Sequence, residues 1–309
     1  MTQVRTRLAH RVRQHDKHII TRMMDIASGL PDVIKLGRGD PDLDTPEHIV
    51  RAGQEALGSG ATHYTHPMGM PELRRAIADD IVRHGGARYA PEHIVVTPGG
   101  QQAMFIIALG LLDAGDEMLL ASPGYNPYIQ AAELTDARLV QIRMSLETNF
   151  TLTADMVREH VTPRSKVLVL INPANPTGTV IPPDEVARIC EVAVEHDLIV
   201  VSDEIYARLT YDGHRAQPVA VLPGMRDRTI TLSGVSKAYA MTGWRVGYFA
   251  GPADLMPALA EIHHGLAIST SAVGQHAALA ALTGPQDCVE EIRRTFDERR
   301  RVLCAGLDE

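Results

Sequence analysis

Short apolar, β-branched runs alternate with longer amphipathic stretches through the middle of the chain, the pattern of a parallel sheet wrapped by helices. The runs predict strands over Ile94–Thr97, Glu117–Ala121, Leu139–Ile142, Lys166–Ile171, Leu198–Asp203, Thr229–Leu232 and Val246–Ala250. The amphipathic stretches predict helices over Pro46–Gly58, Met70–His84, Gln101–Leu112, Tyr125–Leu134, Pro183–His196 and Pro252–Thr283, the last interrupted. Such strands belong in a sheet covered on both faces. Thr45-Pro46 reads as an N-cap followed by proline at the first helical position, and Pro182-Pro183-Asp184 marks another helix start. Residues 1–35 read as a basic, polar arm running into a helix at about Asp16–Leu30, with a short strand at Val33–Leu36. Residues 286–309 predict a further helix, with Ile292, Phe296, Leu303 and Leu307 on one side and Glu298-Arg-Arg-Arg301 on the exposed side. The domain reading is residues 1–45 as an arm and part of a small domain, 46–285 as a large domain, and 286–309 as the start of an interdomain helix.

Composition narrows the function classes. The chain has 309 residues with 30 Lys+Arg against 38 Asp+Glu, a formal net charge of −8, which excludes a nucleic-acid binder relying on bulk positive charge. No apolar run approaches the roughly 18 residues that span a bilayer, and the first thirty residues are charged throughout, so neither a membrane nor a secretory signal is expected and the cytoplasm is the expected compartment. Cys190, Cys288 and Cys304 form neither a disulfide framework nor a zinc pattern and read as reduced thiols.

Several candidate motifs fail on their spacing. The close histidine pairs, His63/His66 and His263/His264, lack the third ligand of a zinc enzyme, so no metal is expected. Asp40-Pro-Asp42-Leu-Asp44 starts like a calcium loop but continues with Thr45 where glycine is required and Arg51 where glutamate is required. Gly37-Arg38-Gly39 lacks the third glycine of a dinucleotide fingerprint.

Thr97-Pro98-Gly99-Gly100-Gln101 is different, because it leaves a strand and opens a helix, where backbone N–H groups can close on a phosphate. Arg245 offers a planar fork for phosphate oxygens. Three further strand ends lead into Asn172-Pro-Ala-Asn175-Pro-Thr-Gly178, Asp203-Glu-Ile-Tyr206 and Ser233-Gly-Val-Ser236-Lys237. The carboxyl ends of parallel strands line one crevice, so these groups are expected to converge. A lysine that can form a Schiff base, an acid that can keep a pyridine nitrogen protonated and a phosphate cradle together describe a pyridoxal phosphate site.

These residues resemble the class I/II, fold type I aminotransferases and are similar to the bacterial aspartate aminotransferases. The most specific piece is Ser236-Lys237-Ala-Tyr-Ala-Met-Thr-Gly-Trp244-Arg245-Val-Gly247, supported by Gly39-Asp-Pro-Asp-Leu-Asp-Thr-Pro46 and Tyr64-Thr-His-Pro-Met-Gly69-Met-Pro-Glu-Leu. The resemblance implies an α/β fold with a mostly parallel central sheet and an aminotransferase acting between an amino acid and a 2-oxo acid. It implies that Lys237 holds pyridoxal phosphate as a Schiff base and moves the substrate's α-proton. Asp203 would pair with the ring nitrogen, Asn175 and Tyr206 with the ring's phenolic oxygen, and Tyr125 would stack on the ring. Gly99, Gly100, Gln101, Ser236 and Arg245 would hold the phosphate, with Tyr64 reaching the phosphate of a neighbouring subunit in a homodimer. Gly39 would lie against the substrate carboxylate, with Asn175 beside the substrate. The family's small domain and its substrate-carboxylate arginine are expected beyond Glu309. A lyase or synthase using the same lysine and aspartate, or a non-catalytic module that binds the cofactor, remains open at this stage.

Overall fold

All seven apolar runs form strands in the computed structural model, which describes residues 7, 9, 19–34, 37 and 39–308. The chain divides into two units, residues 1–41 and 42–309. The first contains helix α1 (Ile19–Ser28). Residues 33 and 34 belong to no strand, and the rest of the expected strand, like the start of the expected helix at residue 16, lies outside the described residues.

The second unit carries the sheet: β1 (Ile94–Thr97), β2 (Glu117–Ser122), β3 (Arg138–Arg143), β4 (Ser165–Ile171), β5 (Ile199–Asp203), β6 (Thr229–Gly234) and β7 (Gly247–Ala250). Their spatial order is β1-β7-β6-β5-β4-β2-β3. Neighbours from β3 through β6 are parallel, whereas β7 runs antiparallel to both β6 and β1. The helices are α2 (Glu47–Gly58), α3 (Pro71–Arg83), α4 (Gly100–Leu111), α5 (Asn126–Leu134), α6 (Ala154–His160), α7 (Pro183–Glu195), α8 (Met256–Ala267), α9 (Ala272–Thr283) and α10 (Asp287–Asp308). Among the described residues, none is long and apolar enough to cross a membrane.

Alternation along each strand decides what packs where. Val167 and Val169 of β4, Val201 of β5 and Phe249 of β7 join one core with residues of α4, α5 and α8. Leu168, Leu170 and Val200 face the other way into a core with α6 and α7. Tyr248 and Ala250 share that second side at the other end of the sheet, with α2, α3 and α9. At the amino edge of the strands, Glu117 is fully buried, and its carboxylate accepts from Thr162, Ser165, Arg138 and Arg164. That edge is tied by a satisfied ionic cluster.

Two expectations need correction, Thr45 as a helix cap and Arg300 as a solvent-facing residue. Pro46 rather than Thr45 caps α2, and Thr45 donates instead to the Ala240 carbonyl (2.7 Å) while accepting from Trp244 Nε1 (3.1 Å). A hydroxyl bridging two distant loops is not available to a helix N-terminus. On α10, Ile292 is buried, but Leu303 and Leu307 are exposed. Arg300 is partly covered rather than solvent-facing, because it lies over Tyr211 and pairs with Asp212 and Asp297.

Candidate active site

The strand registers place one row of residues along the carboxyl edge of the sheet. Thr97 pairs with Gly247, Gly247 with Gly234, Leu232 with Asp203, and Asp203 with Ile171. The loops that leave β1, β2, β4, β5 and β6 therefore start side by side. They carry Gly99 to Gln101, Tyr125, Asn175, Tyr206 and Ser236-Lys237. Because β7 is antiparallel, its beginning lies at the same edge, which brings Arg245 there as well.

The cradle at the end of β1 depends on two close approaches. Gly99 has φ +84° and ψ 161°, a region open essentially to glycine alone, and a Cβ there would lie 2.5 Å from Arg245 Nη2. The guanidinium thus rests directly on the Gly99 backbone. Arg245 donates to the carbonyls of Thr242 (3.1 Å) and Pro98 (3.4 Å), which aim its fork. A Cβ on Gly247 would strike the Gly100 backbone nitrogen, so this glycine lets β7 pass against the start of α4. The first N–H groups of a twelve-residue helix, here those of Gly100 and Gln101, have no intrahelical acceptor and suit an anion. The Gln101 side chain itself is exposed. Ser236 is buried, and its carbonyl accepts from Met241 N–H.

Asp203 ends β5 on the side of α5 and is 2% exposed. Tyr128 Oη donates to its Oδ2 at 2.9 Å and the Ile205 N–H to its Oδ1 at 3.2 Å. Burial pushes this carboxyl up to about 6, with the two hydrogen bonds opposing the rise. Asn175 Nδ2 donates to Tyr206 Oη at 3.3 Å, so the Tyr206 O–H remains available to a further acceptor. Burial drives the Tyr206 phenol up to about 12. The Asn175 loop is shaped by Ala174 N–H donating to the Thr179 carbonyl and by Asn172 Oδ1 accepting from Ile181 N–H. Lys237 Nζ lies 5.8 Å from the Tyr206 ring centroid. Tyr125 precedes α5 and meets Tyr128 edge-to-face, with ring centroids 6.5 Å apart.

Tyr64 is 78% exposed and lines a cleft of about 590 Å³ with His63, Ser269, Ser271 and Val273. Gly39 is in the first unit. Tyr128 was not expected from the sequence. Its only signal there is the spacing of three from Tyr125, which puts both rings on one helix face.

The donor set fits pyridoxal phosphate. A buried carboxylate poised to face a cation, a paired amide and phenol for an oxyanion, a nearby primary amine and a glycine cradle under a guanidinium match that group's four polar features. The family profile for aminotransferase class I and II matches residues 31–309. The aspartate/prephenate aminotransferase of Cereibacter sphaeroides is 37% identical over 293 residues, covering 94% of this chain and 73% of the relative. Its counterpart from Thermus thermophilus is 39% identical over 279 residues, covering 89% and 72%. The solved aspartate aminotransferase of Rhizobium meliloti superposes with a TM-score of 0.94 at 34% identity, covering 98% of this chain and 77% of that one. The chain belongs to the class I and II aminotransferases. It is an aminotransferase of fold type I that uses pyridoxal phosphate.

Proposed function

We propose that this chain transfers amino groups between an amino acid and a 2-oxo acid with Lys237 as the cofactor-bearing lysine and Asp203 as the partner of the ring nitrogen. The observation that carries the reading is the buried Asp203 carboxylate, held by two donors beside the Asn175–Tyr206 pair on the edge that also bears Lys237. Pyridoxal phosphate, when bound, supplies a carbonyl for amines and a ring that draws electrons from the substrate α-carbon. Arg245 and the N–H groups of Gly99, Gly100 and Gln101, with Ser236, would hold its phosphate. Asp203 would keep the ring nitrogen protonated, Asn175 and Tyr206 would donate to the phenolic oxygen, and Tyr125 would limit ring tilt. Lys237 Nζ would take the proton from the substrate α-carbon, and Gly39 and Asn175 would position the substrate.

A homodimer is part of the same reading, because an exposed Tyr64 phenol is free to serve a second subunit's phosphate. The cytoplasm is the compartment that suits three unpaired cysteines. The relatives named for aspartate make aspartate with 2-oxoglutarate the first substrate pair to assay. Borohydride reduction of the cofactor-loaded protein followed by peptide mapping tests the assignment. A pyridoxyl group on Lys237 is expected; a label on another lysine, or on none, overturns it.

A further inference from the structure

The Tyr128 hydroxyl plays no part in that scheme, yet its position is hard to account for by packing. The buried ring belongs to the apolar core on that face of the sheet and meets Tyr125 edge-to-face, contacts that phenylalanine would make equally well. A hydroxyl in such a place costs free energy unless it is paired, and its partner here is the one carboxylate of the site. The two donors to Asp203 come from different elements, Tyr128 from α5 and Ile205 from the loop after β5, and each takes a different oxygen. That fixes the rotation of the carboxylate plane as well as its place. Ser202 and Glu204 cannot substitute for Tyr128, since alternation turns them to the opposite face, where Ser202 Oγ donates to Glu204 Oε1 at 2.8 Å.

We propose that Tyr128 is a positioning residue for the cofactor: by donating to Asp203 Oδ2 it keeps that carboxylate ionised and turned toward the ring nitrogen. The proposal rests on Asp203 being the ring's partner. The other titratable groups around Asp203 are Tyr125 just before α5, Glu204 and Tyr206 on its own segment, and Lys237 over the Tyr206 ring. Burial, then the Asp203 charge, drives the Tyr128 phenol well above its ordinary value, so it stays a donor across the working pH range.

The test is the dissociation constant of pyridoxal phosphate for the cofactor-free protein from pH 5 to 8, measured by absorbance titration. Wild type, Tyr128→Phe, Asp203→Asn and a chain with 3,5-difluorotyrosine at position 128 are compared. Asp203→Asn supplies the baseline, since it retains the titrations of the cofactor phosphate and Glu204. Relative to that baseline, wild type is expected to lose affinity as Asp203 takes up a proton on the acid side. Tyr128→Phe removes a donor to the anion, so the acid limb should move up by about one pH unit, a tenfold weaker affinity below it, with little change above pH 7.5. The fluorinated phenol is a stronger donor and should move the limb the other way, which keeps the test decisive if the phenylalanine variant folds poorly. A limb that stays in place, or an equal loss of affinity at every pH, overturns the role of Tyr128. If Asp203→Asn retains the full wild-type limb, the assignment of Asp203 fails instead, and the two failures are distinguishable.

Discussion

Substituting Gly99 by alanine separates the cost of backbone strain from the cost of a displaced ligand anchor. Its conformation lies where only glycine is comfortable, so alanine should destabilise the fold by about 1–3 kcal/mol. The new methyl would also lie 2.5 Å from Arg245 Nη2, the tip of a flexible side chain. That tip can swing aside, so the steric part should appear as a misplaced guanidinium rather than as further instability. If the fork then loses one charge-assisted bond to the cofactor phosphate, worth about 1.5–3 kcal/mol, affinity should fall roughly ten- to a hundredfold. Titration of the cofactor-free protein with pyridoxal phosphate measures this. The same substitution in an Arg245→Ala background should add little, because the two changes remove one interaction. Gly247→Ala provides the contrast: its methyl would strike backbone, which cannot move aside, so failure to fold is expected there. A Gly99→Ala protein that binds the cofactor within about threefold of wild type would refute the phosphate role of Arg245.

Two further outcomes follow from the site. The Asp203 carboxyl rises from 3.8 to about 6 on folding, so its burial costs nothing below pH 4, costs progressively more between pH 4 and 6, and at most roughly 3 kcal/mol above that range. Cofactor-free Asp203→Asn should accordingly match wild type in urea unfolding near pH 4 and exceed it at pH 7.5, and a pH-independent difference would exclude burial of the charge as the cause. If Tyr64 serves a second subunit, as proposed, mixing Tyr64→Phe subunits with Lys237→Ala subunits should restore turnover, because heterodimers would have one site free of both changes; verified heterodimers without activity would place Tyr64 in its own chain's site.

The strands and the order of the site residues are readable in the sequence for a common reason. Buried parallel strands are short apolar runs, and whatever follows each run must sit at the carboxyl edge, so Asn175, Asp203 and Lys237 are located once Lys166–Ile171, Leu198–Asp203 and Thr229–Leu232 are read as strands. The direction of β7 is not written in Gly247–Ala250, since an apolar run is the same read either way. Tyr128 was hidden because its ring satisfies the helix's packing pattern and only its hydroxyl, matched with a residue 75 positions away, betrays another use. Helix α6, seven residues long, was missed although Thr153 caps it by accepting from Met156 N–H, because two turns carry too little periodicity to stand out.

The antiparallel β7 has one more consequence. Since Gly234 and Gly247 are paired neighbours in the sheet, the connection between β6 and β7 leaves and re-enters at a single point on the functional edge. Lys237 and Arg245 both ride on that one closed stretch. The amine and the phosphate anchor of the proposed site are therefore inherited together, as a cassette with both ends fixed to the same rung of the ladder. Exchanged as a block between relatives, it would carry the spacing between carbonyl chemistry and phosphate grip with it, leaving ring recognition by Asp203, Asn175 and Tyr206 to the recipient.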